Sequence, residues 1–287
     1  MSIVDALSKA KKNAQLRNQD VTLVQPREAV VPVAPPIVAQ PPVPPAPQAP
    51  LKRIEPASVD LDPLTCRRNR LLLAGSEELL DRKVESAYSM LRTRLLQRAR
   101  TQGWTTIGIT SACPDDGKTL TALNLALSLA KEKNSEIFLL DLDMRNPSVF
   151  KCIGASPPDH IREYFEGSVA LDSLFVTIGV DNLMLAGGAQ VSDRSSELLS
   201  SNKFEELVNH IKQSSTNPLI IVDLPPVLIT DDALVLAPRL DAILLVTSEG
   251  KTPRAELQRA VDTLSEFRLA GFVLNRSQDS VKGYGYY

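Results

Sequence analysis

The segment Ile107-Gly-Ile-Thr-Ser-Ala-Cys-Pro-Asp-Asp-Gly-Lys-Thr119 sets an apolar run ahead of a loop that closes on Gly-Lys-Thr. This is the ending of a phosphate-binding loop, G-x-x-x-x-G-K-[ST], with Ala112 where the first glycine would stand. Gly117 lets the backbone turn so that successive N–H groups face a phosphate, and a helix starting there adds the positive end of its dipole. Lys118 would neutralise the β- and γ-phosphates, and the Thr119 hydroxyl would ligate Mg²⁺. Pro114, Asp115, Asp116, Gly117, Lys118, Thr119 and Leu120 are therefore the expected nucleotide-contacting residues, with ATP and Mg²⁺ as cofactors.

Two further apolar runs end in acids. Ile137-Phe-Leu-Leu-Asp-Leu-Asp-Met-Arg-Asn-Pro147 puts Asp141 at the carboxyl end of a strand, with Asp143 two residues on and Arg145 beyond. Leu219-Ile-Ile-Val-Asp-Leu-Pro-Pro226 ends in Asp223, and its proline pair forces the chain out of the sheet. Ligands of open α/β sheets bind at that end of the strands, and carboxylates there can hold Mg²⁺. Aspartates also cap strand ends for purely structural reasons. Two of them, in this order after a Gly-Lys-Thr loop, favour a metal and phosphate site built from Thr119, Asp141 and Asp223. Arg145 fits either a phosphate contact or a solvated turn.

These residues need a scaffold that brings several strand ends together. Apolar runs at Thr106–Thr110, Ile137–Leu140, Leu219–Val222, Ala242–Thr247 and Gly271–Leu274 alternate with helical patterns at Leu120–Lys131, within Glu197–Lys212, and at Ala255–Arg268. A long helix over Ser76–Arg100, Glu-rich at its start and Arg-rich at its end, precedes them. Such alternation predicts an α/β domain of the P-loop NTPase type, a doubly wound, mostly parallel sheet with helices on both faces. The expected organisation is a short amphipathic helix in residues 1–20, a largely disordered proline-rich linker over 21–75, the P-loop domain over 76–280, and a flexible tyrosine tail over 281–287.

Composition narrows the function. The formal charge is −2, so no overall basic field attracts nucleic acid. Cys66, Cys113 and Cys152 lack metal-ligand spacing, and free thiols suit a reducing compartment. Cys113, near Lys118 and a helix N-terminus, is either a thiol of lowered pKa or a small space-filler. No signal peptide or membrane span is visible, which predicts a cytoplasmic chain that reaches a membrane through a partner. Three of the five tyrosines, Tyr284, Tyr286 and Tyr287, fall in the last four positions.

The stretches LLDLDMRNP and VDLPP, with Ser196–Leu199, Asp231–Pro238, Gly250–Thr252 and Val273–Arg276, resemble the bacterial tyrosine autokinases (BY-kinases) that govern polysaccharide synthesis. The resemblance covers about residues 80–287. It implies ATP-dependent autophosphorylation on Tyr284, Tyr286 and Tyr287, with Lys118, Asp141 and Asp143 as catalytic residues and Asp141 orienting or deprotonating the tyrosine hydroxyl. It also implies a membrane-embedded chain-length modulator whose cytoplasmic tail activates the kinase, a cognate tyrosine phosphatase, and possible homo-oligomers. Two departures stand out. Of the family's Glu-x-x-Arg-x-x-Arg helix pattern only Arg92 falls in register, and Asp115 replaces a loop glycine. A nucleotide-binding scaffold of an export complex, with little turnover, is the main alternative; a division- or partition-type positioning ATPase is a lesser one.

Overall fold

The computed structural model describes residues 54, 56–73, 79–156, 160–188 and 194–277. In chain order its elements are β1 (Ala57–Ser58), α1 (Pro63–Arg68), α2 (Leu79–Gln102), β2 (Thr106–Ser111), α3 (Lys118–Leu129), β3 (Glu136–Asp141), α4 (Val149–Ile153), α5 (His160–Glu166), β4 (Val176–Thr177) and β5 (Leu183–Ala186). They continue with α6 (Ser195–Ser200), α7 (Lys203–Ser214), β6 (Pro218–Asp223), α8 (Asp232–Leu236), β7 (Ala242–Ser248), α9 (Arg254–Thr263) and β8 (Leu269–Asn275). The eight strands form one sheet in the order β1-β4-β5-β3-β6-β2-β7-β8, parallel except where β4 meets β5.

The period of two along the central strands sorts their side chains into two cores. Ile107, Ile109, Ile137, Leu139, Ile221 and Leu244 face α3, which is buried almost all round, and α2 closes over it through Leu95, Leu96 and Ala99. Phe138, Leu140, Ile220, Val222, Ile243 and Leu245 face Phe204, Leu207 and Ile211 of α7 and Ala260 of α9. This is the expected two-faced sheet. In the sheet β6 lies between β2 and β3, and Ile109 and Asp141 each pair with Asp223. The phosphate-binding loop thus leaves the sheet beside both acidic strand ends.

The folded body begins earlier than residue 76. The expected linker ended at residue 75, but β1 pairs with β4 and α1 packs through Cys66, which is 2% exposed. A Pro at the first helical position and the Asp62 side chain, which accepts from the N–H groups of Leu64 and Thr65, start that helix. Buried Asn124 on α3 then straps the segment down, accepting from Leu72 N–H at 2.9 Å and donating to the Arg70 carbonyl at 3.2 Å. The predicted helix over Ser76–Arg100 runs over Leu79–Gln102, and the one at Leu120–Lys131 starts two residues sooner. The terminal helix of residues 1–20, the linker up to residue 53 and the tail over 281–287 lie outside the described residues. Among the described residues no helix is long and apolar enough to cross a membrane.

Replacing Asn124 with Ala leaves a buried N–H and a buried carbonyl without partners, a loss of about 1–3 kcal/mol. Asn124→Ala should lower the melting temperature, and hydrogen exchange should speed up at Leu72 while staying slow in β2 and β6. Unchanged exchange at Leu72 would mean the strap does not hold the segment.

Candidate active site

The loop after β2 owes its shape to two residues in the left-handed region, Asp115 at φ 58° and Gly117 at φ 91°. Aspartate tolerates this conformation better than most residues, and glycine carries no penalty there. Gly117 caps α3 without a side-chain bond, so the N–H groups of the first helical turn have no partner within the helix. Such a turn is an anion site once a phosphate arrives. Pro114 and Asp115 are exposed, Leu120 is half-buried and Thr119 is buried.

Opposite this turn the structure gathers Lys118, Thr119, Asp141, Asp143 and Asp223. The Lys118 ammonium lies 2.8 Å from Asp143 Oδ2 and 3.4 Å from Asp223 Oδ1. Thr119 Oγ1 donates to Asp223 Oδ2 at 2.6 Å. Asp141 Oδ2 accepts from the N–H groups of Ser148 and Val149 and so caps α4. Its other oxygen, Oδ1, is buried without a partner. The carboxylates are 0–3% exposed, and three of them share one ammonium.

That imbalance sets the electrostatics. Burial, reinforced by Asp223, raises the Asp141 carboxyl from 3.8 to about 7. Burial also raises Asp223, against the pull of Lys118 and Thr119. For Lys118 burial acts downward, but Asp223 and Asp143 outweigh it and the ammonium is held above its ordinary value. An unpartnered buried carboxylate oxygen beside an excess of negative charge fits a divalent cation. Among the described residues no three His, Cys, Asp or Glu side chains could hold a metal by themselves. Mg²⁺ does not need them, since it is bound by one or two carboxylates completed by phosphate oxygens and water.

The loop is braced by residues that none of the motifs singled out as site residues. Asp116 was expected beside the phosphates; instead its carboxylate is fully buried and turned inward. It accepts from Cys113 N–H at 3.0 Å and from the Thr252 hydroxyl at 2.7 Å. Asn275, at the end of β8, donates to the Asp116 carbonyl at 2.9 Å and crowds Gly117 so closely that a Cβ there would sit 2.1 Å from its amide nitrogen. Lys251 approaches the carbonyl and carboxylate of Asp115 at 3.4 Å. The segments Gly250–Thr252 and Val273–Arg276, noted for their family resemblance, were the available signal, though nothing in the spacing ties them to a loop over 130 residues earlier.

Arg145 is not a merely solvated turn residue: its guanidinium reaches fully buried Asp232, with Nε at 3.1 Å, and Ser196. One further expectation changes. Cys113 is not a thiol of lowered pKa, because desolvation and then the Asp116 carboxylate push it up. Tyr284, Tyr286 and Tyr287 lie outside the described residues.

No family model matches this sequence. The tyrosine-protein kinase CpsD of Streptococcus pneumoniae serotype 4 is 30% identical over 184 residues, spanning 62% of this chain and 79% of that protein. The chain belongs to the bacterial tyrosine-kinase family. The kinase domain of VpsO is 29% identical to this kinase with a TM-score of 0.58, over 70% of this chain and 100% of that one. The chimerical protein CapA2B2 shares the fold, with a TM-score of 0.66 at 18% identity over 78% and 95% of the two chains. The kinase therefore has a nucleotide-binding fold of the P-loop type.

Two outcomes follow from this geometry. Asp141 binds a proton more readily folded than unfolded, so the nucleotide-free kinase should lose stability as pH rises from about 4 to about 7. Asn at this position keeps an oxygen for the α4 cap and removes the titrating group. Asp141→Asn should therefore flatten the slope and unfold at higher urea than wild type at pH 8, by roughly 1–3 kcal/mol. Thr252→Val strips one bond from buried Asp116; calorimetry should show about 1–3 kcal/mol lost, with nucleotide affinity falling severalfold.

Proposed function

We propose that this tyrosine kinase transfers the γ-phosphoryl group of ATP to its own Tyr284, Tyr286 and Tyr287, and so regulates synthesis, chain length or export of an extracellular polysaccharide. The observation that carries this reading is the buried cluster of Lys118 and three aspartates against a phosphate-binding loop. Thr119 and Asp223, already joined by a hydrogen bond, would hold Mg²⁺ together with the open Oδ1 of Asp141. Bound Mg²⁺ would supply positive charge against the phosphate oxygens. Lys118 exchanges its contact with Asp143 for the β- and γ-phosphates. The tyrosine oxygen forms a bond to the γ-phosphorus as the bridge to the β-phosphate breaks and ADP leaves. Asp141 orients the tyrosine hydroxyl, and its proton passes to Asp143, whose carboxylate is freed as Lys118 turns to the phosphates.

The family likeness also supports a membrane-embedded chain-length modulator as activator, recruitment to the inner face of the plasma membrane through it, a cognate phosphatase, and homo-oligomers. Arg92, the single residue in register with the family's subunit-contact pattern, is engaged within its own chain by the Ser128 carbonyl at 3.0 Å and Glu132 at 3.7 Å. The second reading, a nucleotide-binding scaffold with little turnover, is favoured by Asp115, which puts an 82% exposed carboxylate on the loop.

Anti-phosphotyrosine detection on the full chain with ATP and Mg²⁺, with and without a candidate modulator tail, separates the two. Signal should be strong in wild type and reduced at least about a hundredfold in Lys118→Met, which loses the transition-state contact. It should also vanish in the variant with Tyr284, Tyr286 and Tyr287 changed to Phe. ATP binding without phosphotyrosine in wild type plus activator would establish the scaffold.

A further inference from the structure

A cavity of about 290 Å³ opens at the rim of the sheet opposite the phosphate-binding loop. Thr105, Ser135 and Pro218 line it, and they stand at the starts of the parallel strands β2, β3 and β6, whose other ends carry the loop, Asp141 and Asp223. Its apolar wall comes from Leu96 and Ala99 near the end of α2, from Trp104, and from Leu219. Trp104, the sole tryptophan of the chain, is 9% exposed, and its indole N–H is buried without an acceptor. Buried indole N–H groups normally find a partner.

Two cations flank this wall. Lys212, in the last turn of α7, makes no ion pair among the described residues. The Arg100 guanidinium is largely exposed and only 4.0 Å from its single carboxylate neighbour, Glu132, which it shares with Arg92. Both also offset the negative ends of their helices, which tempers the positive field. Of the other nearby acids, Asp241 is occupied by the N–H groups of Thr105 and Thr106 at 2.7 and 2.8 Å, and buried Glu136 accepts from the N–H of Thr216 at 2.9 Å. The cavity thus combines an apolar floor, a donor lacking an acceptor and a basic mouth.

We propose that this cavity is a second ligand site, remote from the nucleotide, for a small amphiphilic anion: a flat or short-chain apolar body carrying one carboxylate, sulfonate or phosphate. The volume is roughly twice that of the engineered cavity of about 150 Å³ that accepts one benzene ring, so it suits a two-ring or short alkyl body. The apolar body packs on Trp104 and Leu219, and the anionic group takes up Arg100 and Lys212.

Trp104 makes the test direct. The full-length kinase is titrated with 8-anilinonaphthalene-1-sulfonate, two aromatic groups bearing one sulfonate, with and without saturating ATP and Mg²⁺. Tryptophan emission should fall saturably with a stoichiometry of one dye per chain, and nucleotide should not displace the dye. The surface variant Arg100→Gln/Lys212→Gln should weaken binding about fivefold or more while leaving phosphorylation intact. Ala99→Leu, which fills the floor, should abolish binding. Hexyl phosphate should compete, whereas inorganic phosphate, lacking an apolar body, should not. Non-saturable quenching, displacement by nucleotide, unchanged affinity in the double variant, or competition by phosphatidylglycerol vesicles but not by hexyl phosphate would each overturn the proposal.

Discussion

One ammonium is buried among three carboxylates, and much of this molecule is arranged to make that tolerable. Taking a carboxylate out of water costs several kcal/mol unless partners replace the solvent. The structure supplies them unevenly. Asp143 holds Lys118, Asp223 holds Thr119, and Asp141 spends one oxygen on a helix end and leaves the other bare. A protein stabilised for its own sake would fill such a gap with apolar atoms. Here the deficit is kept at the carboxyl rim of the central strands, where a cation and a polyphosphate can make it good.

The same deficit explains why the loop needs support from far along the chain. With Asp115 and Gly117 both in the left-handed region, local backbone preference does not hold the turn. Asp116 turns inward and ties the loop to Thr252, while Asn275 lies over Gly117. On the other side Arg145 pins the stretch after β3 to Asp232, so that Asp141, Asp143 and Arg145 fasten one short segment at three points. Phosphate is thus met by a pre-organised surface, which lowers the ordering cost of binding.

How much of this could be read beforehand depends on whether a signal was local. Strands β2, β3, β6 and β7 were legible because each is an apolar run with a polar boundary. The grouping of Lys118, Thr119, Asp141, Asp143 and Asp223 follows once those runs are parallel neighbours. Strand β5 escaped notice: Leu183–Ala186 is four residues long and its burial comes from β3 alongside it. Helix α1 sits beyond the proline-rich stretch, where composition argued for linker, and its exit is fastened by groups far along the chain, Asn124 and the Cys152 carbonyl. The direction of the Asp116 carboxylate was out of reach because it depends on the dihedral of the residue before it. Arg145 was undecided for a similar reason, since Asp232 approaches it only through tertiary packing.

The bond from Asn275 to the Asp116 carbonyl joins residues 159 positions apart, and it engages the last strand of the sheet. Lys118 and Asp223, 105 positions apart, meet without help from β8, whereas the turn beside them leans on it. A chain cut short before β8 would keep every charged residue of the cluster and lose a support of the loop that faces it. The outermost strand of the sheet is thus as much a part of that turn as the residues that form it.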